Sequence, residues 1–548
     1  MFFVVNTVLF SIFLVFVWRC FFYIVDYYIY KALKELETEE KKCGIAGGMY
    51  QKKRDSACYL DVFAYFCSNQ KSRNMLIGRE NEKKELLSVI NSDASEFVAV
   101  YGRRRVGKTY LIRETFNYKF TFQHTGMANT TSQKQLTSFR DSLIEQGATK
   151  VPKLSNWLEA FSELKRFLNN STDEKKLVFI DELPWLDTPK SDFLSALEYF
   201  WNGWATARKD IVLIVCGSAT SWIVEKIINN HGGLHNRLTK RIKLNPFTLK
   251  ECEEFAKSKN LALNRAQIVE AYMVIGGIPY YWNYIKKGQS IAQNIDNLFF
   301  KEGGELRDEF DMLYASLFKN PEGYIKIVTA LGEKKAGMTR NEIITATKLT
   351  DNGTLTRMLN ELEWCGFIRK YNCIGKAVKE AVFQLIDNYT LFYFQYIAMN
   401  KQNDEHFWSI SLNSPTYHTW SGLAYERICL QHIQSIKNAL GISSVLTNVY
   451  SWRQKADEQK GLSGAQIDLL IDRNDQIVNL CEIKYSKAEY TITKEYESAL
   501  RQKAEAFRVG SGSKKAIHMT MVTTYGLTDN PYAQTVQNCI TMDDLFQS

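Results

Sequence analysis

Four residues of fixed type and spacing carry the clearest chemistry in this sequence. Gly102, Gly107, Lys108 and Thr109 satisfy the pattern G-x-x-x-x-G-K-[ST] at every fixed position. The glycines let a loop fold tightly, so that successive backbone N–H groups converge on phosphate oxygens. Lys108 then supplies a cation for the outer phosphates, and Thr109 a hydroxyl for Mg²⁺. The flanking residues must position this loop. Phe97-Val-Ala-Val-Tyr101 is an apolar run that predicts a buried strand, and a helix is predicted to open at Lys108. That helix would present unpaired N–H groups and a positive dipole end to the same anion. The candidate nucleotide surface is therefore Gly102, Arg103, Arg104, Arg105, Val106, Gly107, Lys108, Thr109 and Tyr110, with ATP and Mg²⁺ as the expected ligands.

A second apolar run, Lys176-Leu-Val-Phe-Ile, ends in Asp181 and Glu182. Continuous apolar character predicts a strand buried on both faces of a parallel sheet, and ligands bind at the carboxyl ends of such strands. Asp181 is the expected Mg²⁺ ligand, and Glu182 the group that polarises the attacking water. An acidic helix cap would look similar, but Pro184 interrupts it. The strand Ile211–Cys216 leads to Ser218, suited either to sensing a γ-phosphate or to capping a helix. Arg237 and Arg241 follow a glycine turn, and either could neutralise transition-state charge in its own or a neighbouring subunit.

The C-terminal block has a separate set. Asp468 lies inside the predicted strand Ala465–Asp472, and Glu482 and Lys484 inside the strand Gln476–Tyr485. Period-2 geometry puts Glu482 and Lys484 on one face, and an antiparallel hairpin brings Asp468 beside Glu482. Two carboxylates near one divalent cation, with a lysine to position water, form a phosphodiester-cleaving set. Glu426, on the amphipathic helix Ser421–Leu440, and Gln502 and Lys503, on the helix Lys494–Phe507, would frame it. The competing reading is a surface hairpin whose charges form a solvated ion pair.

A chain of 548 residues is too long for one core and predicts about three or four domains. The net charge of +9 permits DNA as a partner without requiring it. Eleven scattered cysteines, without zinc spacing, suit a reducing compartment. Phe2 to Trp18 is nearly all apolar and sits at the lower limit of a membrane span. With Lys31 and Lys34 behind it, residues 2–30 would anchor a cytoplasm-facing protein to a membrane; an upstream mis-start is the alternative. The predicted division is 1–30 hydrophobic segment, 31–74 linker, 75–246 nucleotide core, 247–320 helical lid, 321–400 three helices and a hairpin, and 415–548 the second charged site. In 321–400, Leu355, Met358, Leu359 and Leu362 form a core stripe, while Thr354, Thr356, Arg357 and Lys370 are left for a partner.

The set Ile77-Gly-Arg-Glu80, Gly102 to Thr109, Phe179-Ile-Asp-Glu182, Cys216-Gly-Ser-Ala-Thr-Ser-Trp222, Arg237/Arg241 with Asn245-Pro-Phe247, and Gly276-Gly-Ile-Pro279 resembles the archaeal-type predicted ATPase family. That family is close to AAA+ and STAND NTPases. The resemblance spans roughly 75–300 and implies an α/β P-loop NTPase, an αβα sandwich with a helical lid, that hydrolyses ATP as a switch. Residues 321–400 resemble a winged helix-turn-helix. The block 415–548 resembles the PD-(D/E)xK, restriction-endonuclease-like fold, departing from it in lacking a proline before Asp468. Together these imply an ATPase coupled to a Mg²⁺-dependent, DNA-binding nuclease module. In that scheme Glu182, Arg237 and Lys484 are catalytic, Thr109, Asp181, Glu426, Asp468 and Glu482 bind metal, and a homo-oligomer is possible. The alternative is an ATP-dependent regulatory scaffold whose nuclease-like domain does not cut.

Overall fold

The computed structural model describes residues 76–230, 232–318, 320–334, 336–371, 381–454 and 464–547. The apolar segment 1–30 and the linker 31–74 lie outside them. No helix among the described residues is long and apolar enough to cross a membrane. The membrane-anchored localisation expected from residues 2–30 is corrected accordingly: its apolar run reaches only the lower limit of a span before Arg19 interrupts it.

Strands β1 (Glu96–Tyr101), β3 (Lys176–Asp181) and β4 (Ile211–Cys216) are buried along nearly their whole length. Such strands need cover on both faces, which parallel crossovers supply. With β2 (Phe122–Thr125) and β5 (Lys240–Lys243) at its edges, the sheet has the order β2-β3-β4-β1-β5, and every neighbouring pair is parallel. Alternate residues serve opposite cores. Phe97 and Ala99 pack with the helices Ser132–Glu145, Trp157–Asn170 and Phe193–Gly203, whereas Val98 and Val100 pack with the helix Lys108–Thr115 (α1) and the helices that follow the sheet.

Two edge strands depart from the sequence reading. Neither β2 (Phe122–Thr125) nor β5 (Lys240–Lys243) is among the strands anticipated from apolar runs. Each has four residues and alternates between covered and open positions, as an edge strand does.

Residues 247–320 contribute α2 (Leu249–Ser258), α3 (Arg265–Ile275) and α4 (Glu309–Leu317). Thr248 and Asn264 start α2 and α3 with complete capping boxes. Next come α5 (Glu322–Glu333), α6 (Arg340–Thr347) and α7 (Gly353–Trp364), then an antiparallel sheet of order β6-β8-β7, built from Met338–Thr339, Ile368–Tyr371 (β7) and Val382–Leu385 (β8). The expected stripe Leu355, Met358, Leu359 and Leu362 is buried. A short helix, α8 (Asn388–Phe392), leads to the C-terminal block.

That block is a second five-stranded sheet of order β13-β12-β11-β10-β9. β9 (Thr447–Gln454), β10 (Ala465–Arg473) and β11 (Ile477–Lys484) are antiparallel; β12 (Ala516–Thr523) and β13 (Asn538–Ile540) extend it in parallel. Helix α9 (Pro415–Gln431) covers one face through Tyr425, Ile428 and Cys429, and α10 (Lys494–Ser511) the other through Leu500, Ala506 and Phe507. From Leu76 onward the chain forms one compact unit.

Candidate functional site

The phosphate-binding pattern folds as its residue types require. Gly102 has φ 140°, and a Cβ there would collide with the Leu244 carbonyl. Gly107, at φ 90°, caps α1 and faces open space, so an anion could approach the backbone there. β4 separates β1 from β3, so the loop leaving β1 and the carboxylate ending β3 face each other across the end of β4. Thr109 closes that gap: its hydroxyl donates to Asp181 Oδ2 at 2.9 Å. The Cys216 thiol donates to Asp181 Oδ1 at 2.8 Å. Burial, reinforced by Asp181, pushes the Cys216 thiol well up, so it stays protonated as a donor. Asp181 is thus held by neutral donors. A hydroxyl and a carboxylate together suit a hard cation such as Mg²⁺.

Lys108 is buried, and its ammonium donates to the carbonyls of Gly102 (2.8 Å) and Arg103 (3.0 Å). Burial lowers its pKa, with Glu182 and Asp181 among the groups that oppose the shift. Glu182 sits at φ 49°, a left-handed conformation that costs a non-glycine residue about 1 kcal/mol or more. Its carboxylate accepts from Ser218 N at 2.9 Å and Ser218 Oγ at 2.8 Å. Ser218 therefore engages the water-activating candidate. Thr220, which the sequence reading gave no role, donates to the Gly102 carbonyl at 2.7 Å.

Not every expected residue converges. Arg237 is exposed and precedes β5 at the amino-terminal edge of the sheet, where Thr239 N bonds Phe97 O. The loop leaves the opposite edge, so Arg237 is not brought to its own nucleotide site. Arg103 and Arg105 also turn away from the anion position. Arg103 pairs with Asp387 and lies over the Phe367 ring; Arg105 pairs with Glu309 and lies 4.3 Å from the Tyr280 ring centroid. Arg104 makes no ion pair among the described residues and remains half-exposed beside the loop, with Val106 buried and Tyr110 half-buried.

In the C-terminal sheet the antiparallel ladder of β10 and β11 runs from Asp472 opposite Val478 to Leu469 opposite Cys481, so Asp468 and Glu482 are the next residues beyond its last pair. The environment of Glu482 differs from expectation. It accepts from Tyr496 OH at 2.8 Å and Lys503 Nζ at 2.8 Å, with Lys484 Nζ at 3.1 Å. Burial would raise its pKa, but Lys503 and Lys484 hold the carboxyl below its ordinary value. Asp468 accepts from Gln466 at 2.6 Å. Glu426 pairs with Arg427 at 2.6 Å, while burial raises its pKa. Among the described residues no three His, Cys, Asp or Glu side chains are grouped to hold a metal ion. A divalent cation at Glu482 would have to displace Lys503 and Lys484 from its carboxylate. Gln502 is exposed; its neighbour Lys503 is the residue that reaches back. Tyr496 went unassigned because a tyrosine on an amphipathic helix reads as packing.

Residues 76–285 match the model of an ATPase domain predominantly from Archaea. An uncharacterized protein of Methanocaldococcus jannaschii, MJECL04, is 26% identical over 427 residues, 75% of this chain and 88% of that one. Among solved structures, a Walker-type ATPase of Pyrococcus abyssi aligns with a TM-score of 0.43 and 16% identity, covering 58% of this chain and 96% of its own. The ORC2 protein of Aeropyrum pernix, solved with ADPNP and ADP, aligns at 0.35 and 13%, covering 66% and 98%. With the phosphate loop, Asp181 and the parallel sheet in place, residues 76–285 carry an ATPase domain of the archaeal type.

Proposed function

We propose that this chain is an ATP-driven switch that transmits nucleotide occupancy from its N-terminal sheet to the C-terminal block. The observation that carries this reading is the Thr109–Asp181 contact across the end of β4, beside a glycine-capped helix start. Lys108 would leave the loop carbonyls for the outer phosphates, and Thr109 and Asp181 would hold Mg²⁺, which neutralises phosphate charge when bound. Glu182, released from Ser218, would orient the attacking water. Arg237 would act only on a neighbouring subunit.

The winged-helix reading of 321–400 is supported by the order of three helices and a hairpin, and by the exposure of Thr354, Thr356, Arg357 and Lys370. For the C-terminal block, the ion-paired state of Glu482 favours a nuclease-like module that binds nucleic acid over one that cuts it.

Isothermal titration with ATP and Mg²⁺ tests the first part: saturable uptake is expected, and none would end the switch reading. Incubating plasmid with Mg²⁺ or Mn²⁺ tests the second. Cleavage that disappears in Asp468→Ala would restore cutting as the function of that block.

A further inference from the structure

The arginines inside the phosphate loop do not reach the anion position, and their partners belong to later parts of the chain. Arg103 is buried and pairs with Asp387, 284 positions downstream. Asp387 is itself fixed, because its other oxygen caps α8 by accepting from Thr390 N at 3.0 Å and from Thr390 Oγ1 at 2.6 Å. Arg105, at φ 70°, pairs with Glu309, which also accepts from Tyr281 OH at 2.6 Å. The loop is thereby held at two points, one on α8 and one on α4.

The Arg103 clamp is not at rest. Its Nε and second terminal nitrogen are buried without a hydrogen-bond partner, and the Phe367 face lies against the guanidinium, 4.7 Å away. A buried guanidinium served by one carboxylate keeps much of its desolvation cost. A rearrangement that gave the remaining nitrogens partners would recover part of that cost. The same loop supplies the Gly102 and Arg103 carbonyls that Lys108 must leave to meet a phosphate. Any change at Lys108 is thus felt by the backbone that carries Arg103.

We infer that Arg103 and Arg105 are positioning residues: through Asp387 and Glu309 they set the shape of the phosphate loop, so that nucleotide affinity and the placement of α4 and α8 are linked. This inference rests on the nucleotide-switch reading and names the residues through which the switch acts. Linkage is reciprocal, so whatever the two ion pairs contribute to nucleotide binding, bound nucleotide returns to them.

The test uses the full chain and a fluorescent N-methylanthraniloyl ATP, chased with unlabelled ATP in a stopped-flow instrument. Asp387→Asn, which keeps an oxygen for the α8 cap, and Glu309→Gln should each speed release, Asp387→Asn by on the order of tenfold, or about 1.4 kcal/mol. Arg103→Lys, which keeps the charge, should release more slowly than Arg103→Gln. Hydrogen exchange gives an independent readout: ATP should slow exchange at residues 388–392 in the parent and not in Arg103→Gln. Release within twofold of the parent in Asp387→Asn, Glu309→Gln and their double variant overturns the inference, as does ATP-independent exchange at 388–392 in the parent. Binding by the parent that Lys108→Ala abolishes separates these failures from failure of the switch reading. A parent that takes up no nucleotide overturns both.

Discussion

The described residues form two five-stranded sheets, each with a carboxylate near the end of an interior strand, and the two carboxylates are treated in opposite ways. Asp181 is bonded by a threonine hydroxyl and a cysteine thiol, both neutral donors. Glu482 is bonded by two lysine ammoniums and a tyrosine, and its charge is already answered. Both are largely buried, so burial does not separate them. The charge of the donors does. A carboxylate held by neutral donors can still meet a cation at little cost, whereas one inside an ion-pair network must first give up its partners.

Substitutions can break this contrast at either end. Lys108→Ala is the largest, with ATP turnover expected to fall at least about 100-fold in a phosphate-release assay; retained turnover would remove the first sheet from the comparison. Asp181→Asn keeps the shape and removes the charge. It should weaken Mg²⁺-supported nucleotide binding by on the order of tenfold to 100-fold, read as a shift of the Mg²⁺ titration midpoint.

At the other sheet, Glu482→Gln should lower stability at pH 7 by about 1–2 kcal/mol in urea denaturation, since it leaves two half-exposed lysines unanswered. The pH sign follows from linkage. With its folded pKa below the ordinary glutamate value, Glu482 binds fewer protons folded than unfolded near pH 4. Its stabilisation is therefore present at neutral pH and fades as pH falls through that range. The gap between parent and Glu482→Gln should narrow from pH 7 to pH 4, and a gap independent of pH would mean the network is not electrostatic. The smallest effect concerns Cys216. Cys216→Ser retains a donor to Asp181 and should leave the Mg²⁺ midpoint within about threefold of the parent, whereas Cys216→Ala should shift it further.

The sequence was most informative where one residue type permits one geometry. Gly102 and Gly107, the strand before them, Asp181 at the end of an apolar run, and the Leu355–Leu362 stripe all stand where their spacing places them. The antiparallel pairing of the strands that carry Asp468 and Glu482 was legible too, because two alternating runs joined by a short turn read as a hairpin. Partners far along the chain were not legible. Arg103 and Arg105 sit inside a phosphate-binding pattern and carry the charge for it, and only folding brings Asp387 and Glu309 within reach. Arg237 was legible as chemistry and not as position: it follows a glycine turn, and the parallel register places it at the far edge of its own sheet. β2 and β5 were hidden because four residues of alternating exposure hold too little hydrophobic signal to compete with neighbouring helices.

The strand that separates the loop from Asp181 has one more consequence. As it leaves the sheet, β4 delivers three donors within five residues: Cys216 to Asp181, Ser218 to Glu182 and Thr220 to Gly102. They work like teeth on a comb, each meshing with a different working part of the site. Removing a single residue after Val215 is expected to slide all three out of mesh together. Metal holding, water orientation and loop shape would then fail at once, although no side chain of the phosphate-binding pattern had been touched.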